Sequence, residues 1–379
     1  MTKTTPRRNT KTGWSMTGFG ASKPPRLAAA KGRGTEAVWP GARATLGPWI
    51  AGLAVCWTTW GCGGELFEPG ESVETDATGG SIHAHRQSLG TCKGAPYPIV
   101  LAHGFAGFER IGPLNYFFQV AQDLRSRGEV VVEAKVPPYE SSTVRAAKLA
   151  EVVDDTLKTY AACKVNVIGH SQGGIDGRAL ISGLRYGTKV ASLTTVSSPH
   201  RGTEVADVVS GLVPGFSYDV INAILKAISG VTDSPGSPNL KSALGQLTTA
   251  GMQRWNAAHP NDPAVRYYSV AGRSSGRIAS SDCAGGAWGN SSRVDLLDPL
   301  LLVPSGVFAI YSDNPLVPRT NDGLVTVQSS KWGKFLGCVP ADHLDEVGQI
   351  GDLLPDLVSG FSHKELYRKI VAELHKDGL

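Results

Sequence analysis

Short apolar runs, typical of buried strands, alternate along the chain with amphipathic stretches of helical period. The apolar runs lie at residues 98–102, 129–134, 165–168, 190–196 and 265–271. The stretches of helical period lie at residues 117–127, 141–162 and 172–184. Strands that alternate with helices predict the α/β class, with a mostly parallel central sheet and helices on both faces.

A serine framed by glycines follows the third apolar run. Residues 165–168 (Val-Asn-Val-Ile) lead directly into Gly169-His170-Ser171-Gln172-Gly173-Gly174. A strand that runs into Gly-x-Ser-x-Gly is the sequence pattern of a nucleophile elbow. The glycines at 169 and 173 allow a sharp turn from strand to helix, which exposes the hydroxyl at its apex. Ser171 is therefore the candidate nucleophile.

Serine at neutral pH needs a general base, and the base needs an orienting carboxylate. In elbow enzymes the acid and then the histidine follow the serine along the chain. His343, in a loop-like stretch after Pro340, is the candidate base. Asp322, on the turn Asn321-Asp322-Gly323, is the candidate acid, and an ordinary turn aspartate is the alternative. Among the other downstream histidines, His200 is expected to be structural, and His363 and His375, on the last helical segment, are expected to be solvated.

Small residues follow the first apolar run, in His103-Gly104-Phe105-Ala106-Gly107. Small side chains there let a backbone N–H group approach a reacting carbonyl group. The N–H groups of Phe105 and Gln172 are therefore the candidate oxyanion hole. His103 itself is expected to be structural, with bonds inside the loop.

The composition suits one large α/β domain or two ordinary ones, because 41% of the 379 residues are hydrophobic and 18% are charged. The formal net charge of +4 is unevenly distributed. Residues 1–45 hold nine Lys or Arg against one acid, Glu36, so the rest of the chain sums to −4. A mildly acidic globular part argues against nucleic acid as a partner.

The first 62 residues predict a disordered basic leader and a signal peptide. Residues 1–45 are basic and rich in Gly, Pro and Ala, and residues 46–60 form an apolar core that is short for a bilayer span. Initiation at Val38 would leave a signal of ordinary length. Cys62, behind Gly61, resembles a bacterial lipobox cysteine, although Thr59 stands where Leu is usual. Lipidation of Cys62 and ordinary cleavage nearby are the two alternatives.

A Gly-rich, acidic linker is predicted at residues 63–90, between the possible anchor and a domain at residues 91–379. Outside the leader the chain has four cysteines, an even number that suits an oxidising compartment. Cys92 and Cys163 precede strands that would be parallel neighbours, which favours the pairings Cys92–Cys163 and Cys283–Cys338. Four free buried thiols are the alternative.

Several motifs together resemble the bacterial true lipases of the Pseudomonas/Burkholderia type, which are α/β-hydrolases that act on triacylglycerols. They are residues 103–108 (His-Gly-Phe-Ala-Gly-Phe), residues 169–174, Ser198-Pro199-His200-Arg201-Gly202, Asn321-Asp322-Gly323 and His343-Leu344-Asp345-Glu346. The resemblance runs from about Tyr97 to Leu354. It implies the α/β-hydrolase fold, a Ser-His-Asp triad and, in some relatives, a dedicated folding chaperone.

The resemblance also implies a structural calcium site beside the loop of the catalytic histidine. Asp298 and Asp345 match its carboxylate ligands, and the backbone carbonyl groups of Gln349 and roughly Leu353 match the others. Oxygen-only ligands suit calcium. Carboxylates that merely cap or turn the chain are the alternative. The sequence departs from the family at Gln328, where a cysteine is usual, and Cys338 is the candidate to replace it.

Residues 205–237 carry a helical apolar stripe between glycine and proline breaks. The stripe comprises Leu212, Val213, Phe216, Val220, Ile221, Ile224, Leu225 and Ile228. A core-facing helix is the simple interpretation, but the position after the 190–196 strand favours a mobile lid in an acyl-hydrolysing enzyme.

These observations predict an exported serine hydrolase, in the outer membrane as a lipoprotein or secreted, that cleaves triacylglycerols and contacts lipid surfaces through its lid. A short-chain carboxylesterase, a phospholipase and a polyester hydrolase are alternatives on the same scaffold. A hydrolase-fold binding protein without activity is the remote alternative.

Overall fold

Six parallel strands form the central sheet of the protein. The computed structural model describes residues 91–105, 110–111, 114–229, 238–274, 281–289, 293, 295–312, 319–349 and 359–379. All of them belong to a compact unit that spans Ala84–Leu379. The predicted leader, the linker at 63–90 and Cys62 lie outside the described residues, as do residues 230–237 of the predicted lid.

The strands include a short antiparallel hairpin, β2–β3, besides the six of the sheet. They are β1 (Ile99–Ala102), β2 (Arg110–Ile111), β3 (Leu114–Asn115), β4 (Val131–Ala134), β5 (Val165–His170), β6 (Val190–Val196), β7 (Arg266–Gly272) and β8 (Lys334–Val339). The sheet order is β4-β1-β5-β6-β7-β8. The five strands expected from the apolar runs are all present, and β8 adds a sixth at the edge.

Ten α-helices are present in the described part of the chain. They are α1 (Val120–Arg125), α2 (Ser142–Tyr160), α3 (Gln172–Arg178), α4 (Glu204–Val209), α5 (Tyr218–Ser229), α6 (Pro238–Leu247), α7 (Thr249–Ala258), α8 (Leu302–Ile310), α9 (Val327–Ser330) and α10 (His363–Lys376). A π-helical turn, Ala179–Gly183, extends α3. None of the described helices has the length and apolarity needed to cross a bilayer.

Helices cover both faces of the sheet, as the alternating pattern predicts. Ile99 and Leu101 of β1 pack in one cluster with α1 and α10. Val100 and Ala102 point to the opposite face and pack in a second cluster with α2. Successive strand residues face opposite sides, so the wholly apolar run of β1 is explained by burial on both faces.

Both favoured disulfides are present. Cys92 is bonded to Cys163, 71 residues later, and Cys283 is bonded to Cys338. The first bridge joins the segments that lead into β1 and β5, which pair in parallel with Ile99 opposite Asn166. The strand order that suggested this bridge is therefore the one that the sheet adopts.

A buried ion pair joins α2 to α3. Arg145 and Asp176 have fully buried side chains, and Arg145 Nε donates to Asp176 Oδ2 at 2.7 Å. The same guanidinium group donates to the carbonyl oxygens of Pro137, His103 and Gly104. Arg145 therefore links the helix that follows the nucleophile to the loop that follows β1.

We expect Arg145→Met to lower the free energy of unfolding by about 3–5 kcal/mol, because it leaves the Asp176 carboxylate buried without its cation. Arg368→Met is the matched control: it removes a partly exposed partner of Asp123 and should cost no more than about 1 kcal/mol. Urea denaturation measures both. Equal losses in the two variants would contradict the assignment of Arg145 as a buried structural cation.

Candidate active site

Ser171 lies at the apex of a tight turn between β5 and α3. Its backbone has φ 54° and ψ −128°, a conformation that a non-glycine residue rarely adopts. The flanking glycines permit this turn, because a Cβ atom at Gly169 would lie 2.5 Å from the Gly173 carbonyl carbon. A Cβ atom at Gly173 would lie 2.1 Å from the Ala102 carbonyl oxygen of β1. Such a strained elbow is a feature of functional sites.

His343 and Asp322 form a close pair. Asp322 lies in the segment between β7 and β8, and His343 lies in the loop after β8. The His343 Nδ1 atom lies 2.8 Å from Asp322 Oδ2, and the His343 backbone N–H donates to the Asp322 carbonyl oxygen at 2.9 Å. The other carboxylate oxygen, Oδ1, accepts hydrogen bonds from the backbone N–H groups of Leu324 and Val325. The carboxylate is therefore fixed on both oxygens, with one aimed at the imidazole ring.

A narrow cavity of about 40 Å³ brings the elbow and this pair together. Phe105, Ser171 and His343 all line it, and the remaining wall is almost wholly apolar. Gly104 makes the close approach possible, since a Cβ atom there would lie 2.8 Å from the Ser171 Cβ atom and 2.5 Å from the Tyr116 hydroxyl oxygen. The Phe105 backbone thus lies beside the nucleophile, and Gln172 begins α3 directly after it.

A buried polar network supports the ring of His343 from behind. The His170 and His343 rings are 4.6 Å apart, and His170 Nδ1 lies 2.7 Å from the Tyr116 hydroxyl oxygen. His170 Nε2 lies 3.0 Å from Glu346 Oε2, and the Ser197 hydroxyl donates to Glu346 Oε1. Burial, and next the nearby Asp322, raises the pKa of Glu346 well above its usual range. Burial, and next His343, lowers the pKa of His170.

This network was not predicted from the sequence, although His170 and Glu346 both stand inside motifs of the candidate site. Neither residue type at those positions indicates burial by itself. Only the fold shows that Glu346, three residues after the candidate base, turns inward beneath it. Arg145 was likewise missed, because helical periodicity gave no reason to distinguish it from a solvated arginine.

Among the remaining histidines, the structure agrees with the expectations for His103 and His200 and corrects the one for His363. His103 is structural, as expected: its Nδ1 bonds to the Gly104 carbonyl oxygen, and burial lowers its pKa to about 4. His200 is also structural, stacked on Trp332. The expectation that His363 is solvated was wrong, because it is buried at the start of α10 and its Nε2 lies 2.8 Å from the Phe118 carbonyl oxygen.

Three carboxylates form an acidic cluster beside the loop of His343. Oxygen atoms of Asp295, Asp342 and Asp345 lie within 4.8 Å of one another. Asp298 instead accepts from the Leu300 N–H at the start of a 3₁₀ turn, and its own N–H donates to Asp342 Oδ2. Gln349 is buried nearby, with its side chain donating to the Tyr116 carbonyl oxygen. Leu353 lies outside the described residues.

The described part of the predicted lid forms two helices, α4 and α5, and packs inward. Ile224 is fully buried among Val205 and Val208 of α4 and Val307 and Phe308 of α8. Val205 also lines the cavity that holds Ser171. The apolar stripe of α5 therefore packs against α4, the helix that lines part of the cavity.

The fold and the elbow define the class of the protein, an α/β-hydrolase. The chain is 31% identical over 272 residues to a triacylglycerol lipase of Vibrio cholerae, covering 66% of this chain and 79% of that protein. It is 32% identical over 279 residues to the triacylglycerol lipase of Pseudomonas fragi, covering 67% of this chain and 88% of that protein. The chain belongs to the family of bacterial triacylglycerol lipases and is a hydrolase of the lipase and esterase type.

Solved structures share the fold at low sequence identity. The lipase of Staphylococcus hyicus is 19% identical, with a TM-score of 0.51, and the alignment covers 74% of this chain and 95% of that one. A metagenomic carboxyl esterase is 21% identical, with a TM-score of 0.53, and covers 76% of this chain and 77% of its own. Residues 98–244 also match the palmitoyl protein thioesterase family model, and this matched stretch ends before Asp322 and His343.

We expect His200 to make stability depend on pH. Burial, and next the charges of Arg178 and Arg201, hold the pKa of His200 well below 6.5. As the pH falls below 6.5, the unfolded chain gains a proton on this residue and the folded chain does not, so stability is lost. Replacement by Gln should make the dependence of unfolding free energy on pH shallower by about 1.4 kcal/mol per unit below pH 6.

Urea titrations of the wild type and His200→Gln at pH 5, 6 and 7 measure this difference. The comparison between the two proteins cancels the contributions of the other buried groups. Parallel pH profiles would show that His200 is protonated in the folded protein.

Proposed function

We propose that the protein hydrolyses the ester bonds of triacylglycerols through a triad of Ser171, His343 and Asp322. One observation carries this proposal. The strained elbow presents Ser171 to a cavity that His343 also lines, and the Nδ1 atom of His343 lies against the buried Asp322 carboxylate. This arrangement supports the roles of nucleophile, base and orienting acid that acyl transfer requires.

The proposed reaction proceeds through an acyl-enzyme. The Ser171 hydroxyl attacks the ester carbonyl carbon while His343 Nε2 takes its proton, and the electron pair of the C=O bond moves to the oxygen. Collapse of this tetrahedral intermediate breaks the bond to the glyceride oxygen, which leaves with the proton from His343. Water then attacks the acyl-enzyme in the same way and releases the fatty acid.

The oxyanion would accept hydrogen bonds from the backbone N–H groups of Phe105 and Gln172. Support comes from the position of Phe105 on the cavity wall and of Gln172 at the start of α3, whose dipole favours negative charge at this end. Arg145 holds the carbonyl oxygens of His103 and Gly104, immediately before Phe105. A donor held in place before substrate arrives needs no reorganisation during the reaction.

A lid at residues 205–237 is part of the proposal. The cavity of about 40 Å³ is far below the roughly 300 Å³ that ligand sites usually need. Residues of α4 and α6 form part of its wall, so an acyl chain would enter only after the wall has shifted. Movement of α4, together with the α5 helix packed on it, would supply the necessary room.

Short soluble esters and S-acyl thioesters are the two alternative substrate classes that an activity measurement separates from triacylglycerols. A carboxylesterase acts on short soluble esters and needs no lid opening. A thioesterase is favoured by the match of residues 98–244 to the palmitoyl protein thioesterase model. Phospholipids and polyesters would use the same triad with different contacts in the opened site.

We further propose that the protein is exported and that it works at a lipid surface. The two disulfides support an oxidising compartment. Cleavage of a signal peptide, or lipidation at Cys62, would determine whether it is secreted or is an outer-membrane lipoprotein. A folding chaperone is a further proposed partner of the exported protein.

A structural calcium ion is also proposed, and the described residues fit it. The donor set is made of carboxylate oxygens, and burial raises the pKa of Asp342 to about 6, so a cation here would relieve the cost of charge in this cluster. The proximity of Asp295, Asp342 and Asp345 supports a ligand set that shares Asp345 with the one expected from the sequence and uses Asp295 and Asp342 instead of Asp298. When bound, the ion would fix the loop that carries His343.

Calcium is expected to stabilise the folded protein by about 2.7 kcal/mol at a hundredfold excess over its Kd. The readout is the thermal unfolding midpoint in calcium and in EDTA, which does not depend on activity. Asp345→Asn and Asp295→Asn should abolish the shift, and Asp298→Asn should retain most of it. A shift that Asp298→Asn and Asp345→Asn abolish, and that Asp295→Asn retains, would support the ligand set expected from the sequence.

The activity test is fatty-acid release, followed by pH-stat, from emulsified triolein and from tributyrin. We expect turnover of both, loss of turnover in Ser171→Ala, and a decrease of about 10⁴-fold in kcat in Asp322→Asn. Asp282→Asn, a partly exposed carboxylate away from the cavity, is the control and should retain full activity. Turnover of tributyrin alone would indicate a carboxylesterase, and preference for an S-palmitoyl thioester would indicate a thioesterase.

A further inference from the structure

The hydroxyl group of Tyr116 contacts two segments of the candidate active site, although the proposed reaction gives it no role. Tyr116 lies between β3 and α1, and its hydroxyl oxygen is 2.7 Å from His170 Nδ1. A Cβ atom on Gly104 would lie 2.5 Å from the same oxygen. His170 directly precedes the candidate nucleophile, and Gly104 directly precedes Phe105, which carries the candidate oxyanion donor. One hydroxyl group therefore adjoins both the elbow and the loop of the oxyanion donor.

The ring of Tyr116 is held by packing, so its hydroxyl group has a defined position. The ring lies edge-on to Phe117, with centroids 5.1 Å apart, and Phe117 is itself buried against Tyr367 of α10. The side chain of Gln349 donates to the carbonyl oxygen of Tyr116 at 3.2 Å, which also holds the backbone. The position of the hydroxyl group is thus set by elements outside the loop that it contacts.

Both hydrogen-bonding capacities of this hydroxyl group are used. Burial raises the pKa of Tyr116 above its usual range, so the group keeps its proton. Its oxygen accepts a hydrogen bond from the backbone N–H group of Gly104. Burial, and next His343, lowers the pKa of His170, so the His170 ring is neutral. We assign its Nδ1 atom as the acceptor of the Tyr116 proton, which directs the N–H group at Nε2 toward Glu346.

Gly104 is therefore fixed at both of its backbone polar groups. Its N–H group bonds to Tyr116, and its carbonyl oxygen accepts from Arg145 Nη2 at 3.1 Å. The Gly104 C=O group and the Phe105 N–H group belong to one planar peptide unit, so the direction of one determines the direction of the other. Tyr116 and Arg145 together thus orient the Phe105 N–H group before any substrate is bound.

The same hydroxyl group ties this loop to the elbow. His170 is the last residue of β5 and precedes Ser171, and its Nε2 atom lies 3.0 Å from Glu346 Oε2. The separation between the Phe105 N–H group and Ser171 is therefore bridged by the contacts of Tyr116. A misplacement of about 1 Å in such a site can lower the rate by about 100-fold.

Tyr367 shows that a buried tyrosine in this protein need not be held by its hydroxyl group. Its ring is wholly buried in the apolar cluster against which Tyr116 packs, yet among the described residues its hydroxyl oxygen has no hydrogen-bond partner. Ring packing alone accounts for Tyr367, and it leaves the two polar contacts of Tyr116 unexplained. The two tyrosines therefore form a matched pair for experiment.

We propose that Tyr116 is a positioning residue: its hydroxyl group holds the Phe105 N–H group at the distance from Ser171 at which it stabilises the oxyanion. This inference rests on the proposed function, because it takes acyl transfer to Ser171 as given. Tyr116 forms no bond to substrate, and its effect is exerted through Gly104. The effect falls on the transition state, where charge develops on the carbonyl oxygen, and not on binding of the uncharged ester.

Tyr116→Phe removes the hydroxyl group and keeps the ring. We expect kcat for p-nitrophenyl butyrate, a soluble ester, to fall about tenfold with KM unchanged, a smaller effect than the roughly 100- to 1,000-fold loss of a whole oxyanion donor. Tyr367→Phe is the control and should keep the wild-type kcat. End-point titration of Ser171 with a phosphonate ester counts the folded active molecules, so a misfolded fraction of Tyr116→Phe is not mistaken for a low kcat.

A tetrahedral analogue separates an effect on the oxyanion from an effect on the base. The carbonyl carbon of an alkyl trifluoromethyl ketone would bond to Ser171 Oγ, while the hydroxyl proton moves to His343 and the C=O electron pair to the oxygen. Tyr116→Phe should raise the Ki of this ketone by the factor that it removes from kcat/KM, with an unshifted pH profile. A wild-type kcat in Tyr116→Phe would overturn the inference. So would a lower kcat with an unchanged Ki and a shifted pH profile, because Tyr116 would then act on His343.

Ser171→Ala distinguishes failure of this inference from failure of the proposed function. In the same assays this variant should neither hydrolyse the ester nor bind the ketone. Turnover by Ser171→Ala would overturn the proposed function and this inference together. An inactive Ser171→Ala beside a fully active Tyr116→Phe would overturn this inference alone.

Discussion

The close contact between the start of α3 and the end of β1 is the constraint on which the site depends. Gly173 lies so near the Ala102 carbonyl oxygen that no side chain fits between them. This contact places Ser171 directly beside Gly104, where again only hydrogen fits, and so brings the nucleophile to the loop that carries Phe105. Gly173 and Gly104 thereby determine the distance between the nucleophile and the candidate oxyanion donor.

Buried polar side chains hold the start of α3 against the end of β1, despite the cost in free energy of burying charge. Arg145 of α2 joins these two segments through an ion pair to Asp176 of α3 and hydrogen bonds to two carbonyl oxygens of the loop that follows β1. A buried cation needs such complete pairing, so it resists small displacements of either side. The network of His170 and Glu346 has the same role under His343. Buried polar contacts therefore give the site its geometry, and the apolar clusters give the fold its stability.

The sequence was sufficient to predict the strands and the elbow because each of them has a local signature. Apolar runs such as 190–196 leave few alternatives to a buried parallel strand, and Gly-x-Ser-x-Gly is interpretable within six residues. Strand β8, with Lys334 at its start and Gly337 inside it, has no such run and was not predicted. The same limitation applies to function. Burial of Glu346 and of His363 depends on elements more than a hundred residues away, which periodicity cannot detect.

The proposed lid is held by a single apolar cluster that α4, α5 and α8 share. Moving α5 away from this cluster would expose Ile224, at a cost of about 1.5–3 kcal/mol for that side chain alone. In water this cost would oppose opening of the lid. At a lipid surface, the exposed stripe of α5 would be buried among acyl chains instead. Opening would then be coupled to contact with lipid, because the apolar contacts that α5 loses inside the protein would be replaced by contacts with lipid.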